Sequence, residues 1–504
     1  MTTITTDFVG SETAAVTRSR LTEILEWWGN APDDYTTWGN ARTDLNALLS
    51  GTATGTIGAN ELAGSFLSKI NLVNDPDALI AEAFPTAQLI TTDPDRVFSD
   101  TSGTTPAVLG GPVAALRDGG GAIIATQTTS AARPTYGRHP ASGLRNRLPN
   151  NRMDGAVVGV LGAGGSLPTG WGLGSSISQS GAEVLSIAPK NGRPNIRLRL
   201  TGTPTGNVQI SAPVTNDVKA QNGQTWTNSV WLQQVAGTQT NVDALAILQI
   251  NLNSSGGFVS STGFSSFGST ATEDLRRVST TTLATPNIAF TRNAVQLSWS
   301  SGAIDITLDI SAPQLEQASA ASDVQITGAN GFDVTEAGQR SVYYLKPDGL
   351  DDSLQFSSAF AGQTSYTLAA AHDIKFLPAA PNEGVIFGGT SRFTKTLDNG
   401  LRWRNQGTEN QIDYNTQAVS GRQVDLLRVA GAGVPEAWRN GQAATVSGSA
   451  GSFSPLVGLS HLFMAGSTYS GGRFYGGALI PAAISEPERL MLQRYLAQKG
   501  GITL

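Results

Sequence analysis

The chain has 504 residues, a net charge of −6 and no cysteine. Glycine fills 58 positions while Asp, Glu, Lys and Arg together supply only 14%, which predicts a mainly β chain of short strands spread over about three or four domains. Disulfides and thiolate-bound zinc are excluded, and so is the dense basic surface that nucleic acid needs.

Hydrophobic residues at 39% suffice for packed cores. No window approaches the roughly 18 apolar residues of a membrane span, and no basic region leads into an apolar run at "MTTITTDFVGSETAAVTRSR". A cytoplasmically made protein with no membrane or nucleic-acid partner is expected.

Residues 1–90 read as short helices. In "SETAAVTRSRLTEILEWWGN" Leu21, Ile24, Leu25 and Trp28 fall at helical spacing between Ser11 as cap and Gly29 as stop. "NARTDLNALLSG" repeats that layout with Asn40, Leu45, Leu48, Leu49 and Gly51, and "NELAGSFLSKI" offers Leu62, Phe66 and Ile70. In "NDPDALIAEAFP" Asp75 caps, Pro76 takes the first helical position and Pro85 ends the helix. So small a bundle is marginal alone, and it is expected either to pack on a partner or neighbouring subunit or to form a self-contained cap.

From residue 91 the texture turns to Gly, Thr, Pro and short apolar runs, and from 144 to 328 strands alternate clearly. Asn195–Gly202, Thr225–Gln234, Ala244–Asn253, Ala294–Ser301 and Ala303–Glu316 are expected strands of an antiparallel jelly roll. In the first, Arg197 and Arg199 oppose Leu198 and Leu200, so one face meets solvent. Strands resume over 329–504, with Asn440-Gly441 marking a type I′ hairpin. "SEPERLMLQRYLAQKGG" closes the chain as a helix, with Ser485 as cap, Pro487 in the first turn and Glu488 completing a capping box. Leu490, Leu492, Tyr495 and Leu496 form its buried side and Gly500 is the expected stop.

Three stretches resemble modules of tail fibres and spikes of tailed phages and prophages. Asp95–Tyr136 ("DRVFSDTSGTT…SAARPTY") is similar to the opening of a laminin-G or concanavalin-A-like sandwich, which in that family runs closely into a hydrophobic–DG–DD–hydrophobic strand. Here that form occurs at Asp348-Gly349-Leu350-Asp351-Asp352, some 200 residues on; "AWRNGQA" and the final "GRFYGGALIPAAISEPERLMLQRYLAQKGGITL" resemble the same domain's hairpin, last strand and helix. The gap holds the third resemblance. "LRNRLPNNRMDGAVVGVLGAGGSLPTGW", "NGQTWTNSVWLQQVAG" and "APQLEQASAASDVQIT" are similar to a carbohydrate-binding-module-like jelly roll of phage structural proteins.

The resemblance covers roughly 90–504 and implies a jelly roll inserted into a concanavalin-A-like lectin sandwich. The expected layout is a helical particle-anchoring domain at 1–90, an opening segment at 91–143, the insert at 144–328, and the rest of the lectin-like domain with its helix at 329–504. The closest resemblance is to head spikes of gene transfer agents and related phages, which hold to capsid vertices and bind host capsular polysaccharide. It implies a homo-oligomer on the surface of a phage-like particle, attached to other virion proteins through its N-terminal domain and to host surface polysaccharide. The alternatives are a polysaccharide depolymerase on the same architecture and a purely structural tail or baseplate part.

The candidate chemistry is non-enzymatic. Glucanases on this fold use a Glu-x-Asp-x-x-Glu strand that puts three carboxylates on one face, whereas Glu383, Glu409 and Glu436 stand apart and Glu486 and Glu488 begin a helix. Asp348, Asp351 and Asp352 offer the clustered oxygens that calcium prefers, yet Asp beside Gly and Pro also closes turns through its own backbone, so no metal or other cofactor is expected. His139, His372 and His461 lack partners at ligand spacing, and "GAGG" and "DGGGA" lack the Lys-Ser/Thr of a phosphate loop. For sugar, which stacks on aromatic faces, the expected contacts are Tyr469, Arg473 and Tyr475 in "STYSGGRFYGG", with Trp438 exposed at the same rim. One of Trp226 and Trp231 is expected in the core, as are Trp171, Trp299 and Trp403.

Overall fold

The computed structural model describes residues 76–118, 121–212, 218–267, 271–374, 383–396, 401–405, 408–413, 421–431, 433–447, 455–465 and 468–504. The helices expected before residue 76 lie outside them. Helix α1 (Pro76–Ala83) begins on a proline, whose missing N–H is one that the first helical turn leaves unpaired anyway, and it ends two residues short of Pro85. Strand β1 (Gln88–Thr91) follows, then three short strands, then β2 (Thr135–Pro140). At Pro140 the chain leaves this sheet.

The next 200 residues build two six-stranded antiparallel sheets. Their principal strands are β3 (Asn195–Gly202), β4 (Val208–Ala212), β5 (Thr225–Thr238), β6 (Val242–Leu252), β7 (Phe258–Ser266), β8 (Leu275–Thr282), β9 (Phe290–Trp299) and β10 (Ile304–Glu316). One sheet runs β7-β6-β9-β4 and the other β8-β5-β10-β3, each extended by shorter strands. Alternation decides the faces. Leu198 and Leu200 of β3 are buried with Leu245, Leu297, Ile306 and Leu308 in the core between the sheets. Arg197 and Arg199 point outward, pairing with Asp309 at 2.8 Å and Asp305 at 2.9 Å on the neighbouring strand.

The chain rejoins the first sheet through β11 (Ser341–Lys346), which pairs with β2 from Ser341 opposite Pro140 to Lys346 opposite Thr135. After it come β12 (Leu354–Phe360), β13 (Tyr366–His372), β14 (Gln423–Val429), β15 (Glu436–Arg439), β16 (Phe474–Ile480) and helix α2 (Glu486–Gly500). Seventeen strands from both ends of the chain interlock here through antiparallel ladders. Central β16 pairs with β1, β11 and β13. One face of this sheet buries Phe356, Phe387, Phe393, Trp403 and Phe474 within the sandwich. The opposite face carries Val342, Tyr344, Trp438, Tyr475 and Ala478, covered by Leu492, Tyr495 and Leu496 of α2 and Ile80 of α1. The chain is thus mainly β, built of antiparallel sandwiches, as its composition requires.

Helix α2 starts where the capping box places it: the Glu488 carboxylate accepts the Ser485 N–H at 2.6 Å. Its stop differs by one residue. Gly500 is still helical, and Gly501 turns left-handed at φ 58°. Leu492, Tyr495 and Leu496 are buried as expected, while Leu490 is only half-buried and the guanidinium of Arg489 takes the covered position. The Asn440-Gly441 turn has both residues at positive φ, 47° and 83°, as a type I′ hairpin demands. Lys499 ties the two helices to the sheet, reaching Asp77 at 2.6 Å and Asp93 at 2.5 Å.

Both crossings between the sandwiches pass through one polar knot. The Gln325 amide accepts the Arg145 N–H at 2.8 Å and donates to the Gly143 carbonyl at 2.7 Å. Asp333 holds Arg138 at 2.6 Å and Arg152 at 2.7 Å, and Glu336 holds Arg145 at 2.5 Å. Each buried polar group here meets a charged or hydrogen-bonding partner, which makes the crossing stiff rather than hinged. Among the described residues no helix is long and apolar enough to cross a membrane.

Candidate functional site

The ends of four neighbouring strands bring charge together that the sequence keeps far apart. Leu345 of β11 pairs with Phe474 of β16, so the next position sets Lys346 opposite Arg473. Arg473 and Asp373 continue the β16–β13 ladder, exchanging N–H···O bonds of 3.3 and 2.7 Å. His372 of β13 pairs with Gln423 of β14, so one step further sets Arg422 opposite Asp373. Directly opposed residues share a face. Lys346, Arg473, Asp373 and Arg422 therefore form a single row across the sheet, spanning about 14 Å at ordinary inter-strand spacing.

Arg147, at the start of the inserted segment, stands close enough to feel the Arg473 charge. Burial lowers the pKa of Arg147, Lys346 and Arg422, and the Arg473 charge lowers it further in each. Among the described residues four cations thus face one carboxylate. That carboxylate is a loose partner, because Asp373 approaches Arg473 only to 3.5 Å. Arg422 spends one guanidinium nitrogen on the carbonyls of Ala141 and Gly500, both at 2.9 Å.

A neutral aromatic layer supports the row from the α2 side. The His139 Nδ1 lies 2.8 Å from the Pro140 carbonyl, which only accepts, so Nδ1 carries the proton. Its Nε2 is then bare and accepts the Tyr475 hydroxyl at 3.0 Å. Burial pushes the His139 pKa down to about 3, with the nearby Arg473 and Arg422 adding to it, so the ring is neutral at physiological pH. Burial likewise raises the Tyr475 and Tyr344 phenols. Tyr344 lies flat across Gly137, where a Cβ would stand 2.4 Å from its ring, and the Arg473 guanidinium rests 5.1 Å above its centre. Side-chain size at position 137 thus helps set where Arg473 sits.

The four expected sugar contacts are not brought together. Tyr475 is fully buried, because strand alternation sends Phe474 into the sandwich and Tyr475 into the layer under α2. Trp438 is 8% exposed rather than at a rim. It projects from β15 toward α2, between the guanidinium of Arg428 at 5.1 Å and that of Arg489 at 4.7 Å. Neither offers a free face to a sugar. Tyr469 lies half-buried on a separate ladder, opposite Met464. Arg473 is the one that reaches the charged row, with 22% of its side chain accessible. Sequence reasoning missed Arg147, Lys346, Asp373 and Arg422, whose shared position depends on strand register.

The remaining candidates have structural surroundings. Trp226 and Trp403 are buried in the two sandwiches. Trp231, on the opposite face of β5 from Trp226, lies between the guanidiniums of Arg193 at 4.6 Å and Arg276 at 4.8 Å. The carboxylates of Asp348, Asp351 and Asp352 come within 4.8 Å of one another. Asp348 accepts the Leu350 N–H at 2.8 Å and Asp352 accepts the Asp348 N–H at 2.7 Å, so these oxygens close the loop on itself. Glu436 pairs with Arg428, while the Glu383 and Glu409 side chains lie outside the described residues.

No family model matches the sequence, and no curated protein does. Solved structures that align with the chain include a truncated AlyQ with CBM32 and alginate lyase domains, at 7% identity and a TM-score of 0.20 over 56% of this chain and 90% of that one. The tripod from the baseplate of bacteriophage Tuc2009 aligns at 11% identity and 0.24, over 62% and 98%. Trypanosoma rangeli sialidase aligns at 10% and 0.24, over 64% of each chain. Likenesses of this size bear neither on a ligand nor on an activity.

Proposed function

We propose that this chain attaches a phage-like particle to host surface polysaccharide without cleaving it. The observation that carries the reading is the pairing of Thr135–Pro140 with Ser341–Lys346 across an inserted sandwich. It joins into one sheet the two separated stretches that resemble the lectin-like module of phage spikes and fibres. Residues 1–90 would hold the particle, and copies of the chain would associate with closed cyclic symmetry, so that several weak sites act together. The carboxylates Asp425 and Glu436 on the lectin-like sheet are each held closely by an arginine, a state that supports binding rather than acid–base chemistry.

Binding of the purified chain to cells with and without capsule, with reducing ends assayed in the same tube, tests this. Capsule-dependent binding without new ends is the expected result. New ends would replace the reading with a depolymerase. Equal binding to both cell types, or none, would leave a particle-building role.

A further inference from the structure

The geometry points to an acidic saccharide, a glycan bearing carboxylate or sulfate groups, as the ligand of the row Lys346–Arg473–Asp373–Arg422 completed by Arg147. The inference rests on the attachment reading and names the ligand class for it.

Charge balance is the first support. The chain as a whole is acidic, at −6, yet here, among the described residues, four cations meet one carboxylate. Two arginines on the sheets elsewhere show what close matching looks like: Arg197 holds Asp309 at 2.8 and 3.0 Å, and Arg439 holds Asp425 at 2.8 Å. Charge-assisted bonds normally close to about 2.7–2.9 Å, whereas the row's one ion pair stands at 3.5 Å. Among the described residues no ion pair involves Lys346, Arg147 or Arg422. Clustered like charges without counterions work against folding, and sites that break a local rule in this way are where function concentrates.

Position is the second. Lys346 and Arg147 are exposed, Arg422 and Arg473 half-buried, and the layer beneath them is neutral, since His139 holds no second proton and Tyr475 donates into it. Among the described residues nothing in that layer supplies the missing negative charge, so an incoming oxyanion does. Guanidinium groups match carboxylate and sulfate oxygens in paired geometry. Lys346 and Arg473 come from the lectin-like sheet and Arg147 from the insert, so neither sandwich holds the full set alone. A row of about 14 Å suits a short oligosaccharide. Duplex nucleic acid is recognised through long basic tracks, which a row of this length does not supply.

The test uses the immobilised full chain and four soluble polymers: polygalacturonate, dextran sulfate, neutral dextran and duplex DNA. Polygalacturonate or dextran sulfate should bind, more weakly as salt rises, and whichever binds identifies the anion. The double variant Arg147→Gln/Lys346→Gln, confined to exposed side chains, should lose affinity about tenfold, the loss of two screened ion pairs, with its melting temperature unchanged. Arg473→Gln should lose at least as much, but is interpreted only if its melt matches wild type. Unchanged affinity in the double variant, or equal binding of neutral dextran or duplex DNA, would overturn the assignment. Capsule-dependent cell binding that persists in the double variant would refute this site and leave the attachment reading standing. A wild-type chain that binds these acidic polymers through the row but ignores capsule would do the reverse.

Discussion

Replacing Asp425 by Asn tests how the sheet that joins the two ends of the chain is held together. Asp425 is fully buried on β14 and accepts from Arg439 Nε at 2.8 Å, His372 Nε2 at 2.9 Å and Gln423 Nε2 at 2.6 Å. The His372 proton is fixed on Nε2, because Nδ1 accepts the Ile374 N–H at 3.2 Å. Arg439 is itself only 3% exposed. Breaking a buried pair from one side costs about 3–5 kcal/mol, and the Asn amide oxygen retains some of these hydrogen bonds, which places the loss near 3 kcal/mol. At about 2–4 °C per kcal/mol for a domain of this size, calorimetry on the full chain should register a fall of about 6–12 °C at pH 7. The pH dependence has a definite sign. Burial works against the charge, but Arg439 and His372 hold the Asp425 pKa below the usual carboxylate range. The stabilisation is therefore complete above the unfolded value near 4 and lost as pH falls through the depressed native value. The gap between wild type and Asp425→Asn should narrow below about pH 4. A fall under about 2 °C at pH 7, or a gap that widens in acid, would refute the reasoning.

Three further outcomes follow from particular contacts. Burial, with Asp348 and Asp351 adding like charge, raises the Asp352 pKa to about 7, so its stabilising effect is full below about pH 4 and lost as pH rises through 7. Asp352→Asn should therefore melt higher than wild type at pH 8 by about 1–2 kcal/mol, discounted for solvent screening, and equally at pH 4; a variant that melts lower at pH 8 would contradict this. Trp438→Ala should destabilise by about 3–5 kcal/mol in denaturant titration while leaving the affinity for capsule unchanged, and a selective loss of affinity would restore Trp438 as a ligand contact. Gly388→Ala would set a Cβ 2.0 Å from the Met464 carbonyl oxygen, and a cost of about 3 kcal/mol from the forced backbone shift should appear as a lower denaturation midpoint, whereas an unaltered midpoint would show that this contact yields freely.

What the sequence reveals of this fold depends on how strongly each segment is buried on one face. Asn195–Gly202 alternates leucine with arginine and is read to the residue. Phe258–Ser266 and Leu275–Thr282 are missed, because both are edge strands of Ser, Thr and scattered apolar residues with no buried position to impose a period. The start of α2 is written in its capping box, while its stop, one glycine later than expected, depends on which of two adjacent glycines turns left-handed. Trp438 shows the limit for sites. A tryptophan beside a hairpin looks exposed until α2, some 50 residues on, covers it with Arg489. The charged row is still less legible, since Lys346, Asp373, Arg422 and Arg473 meet only through the register of three strand pairings.

The insertion has an evolutionary consequence. Because β2 and β11 are adjacent and paired up to Pro140 and Ser341, the host sheet meets the whole excursion as the loop of one hairpin. Closing a longer flexible loop costs only about 0.6 kcal/mol per doubling, and a folded insert whose ends already lie together costs less. Genetic exchange of the segment between these strands needs only two breakpoints, and any replacement with neighbouring termini would leave the sheet's register intact. Arg147 would travel with the cassette and Lys346, Arg422 and Arg473 would stay behind, so each recombination would rewrite one side of the charged row and keep the other. Shuffling a single block would thus vary the composition of the row while the sheet stays as it is.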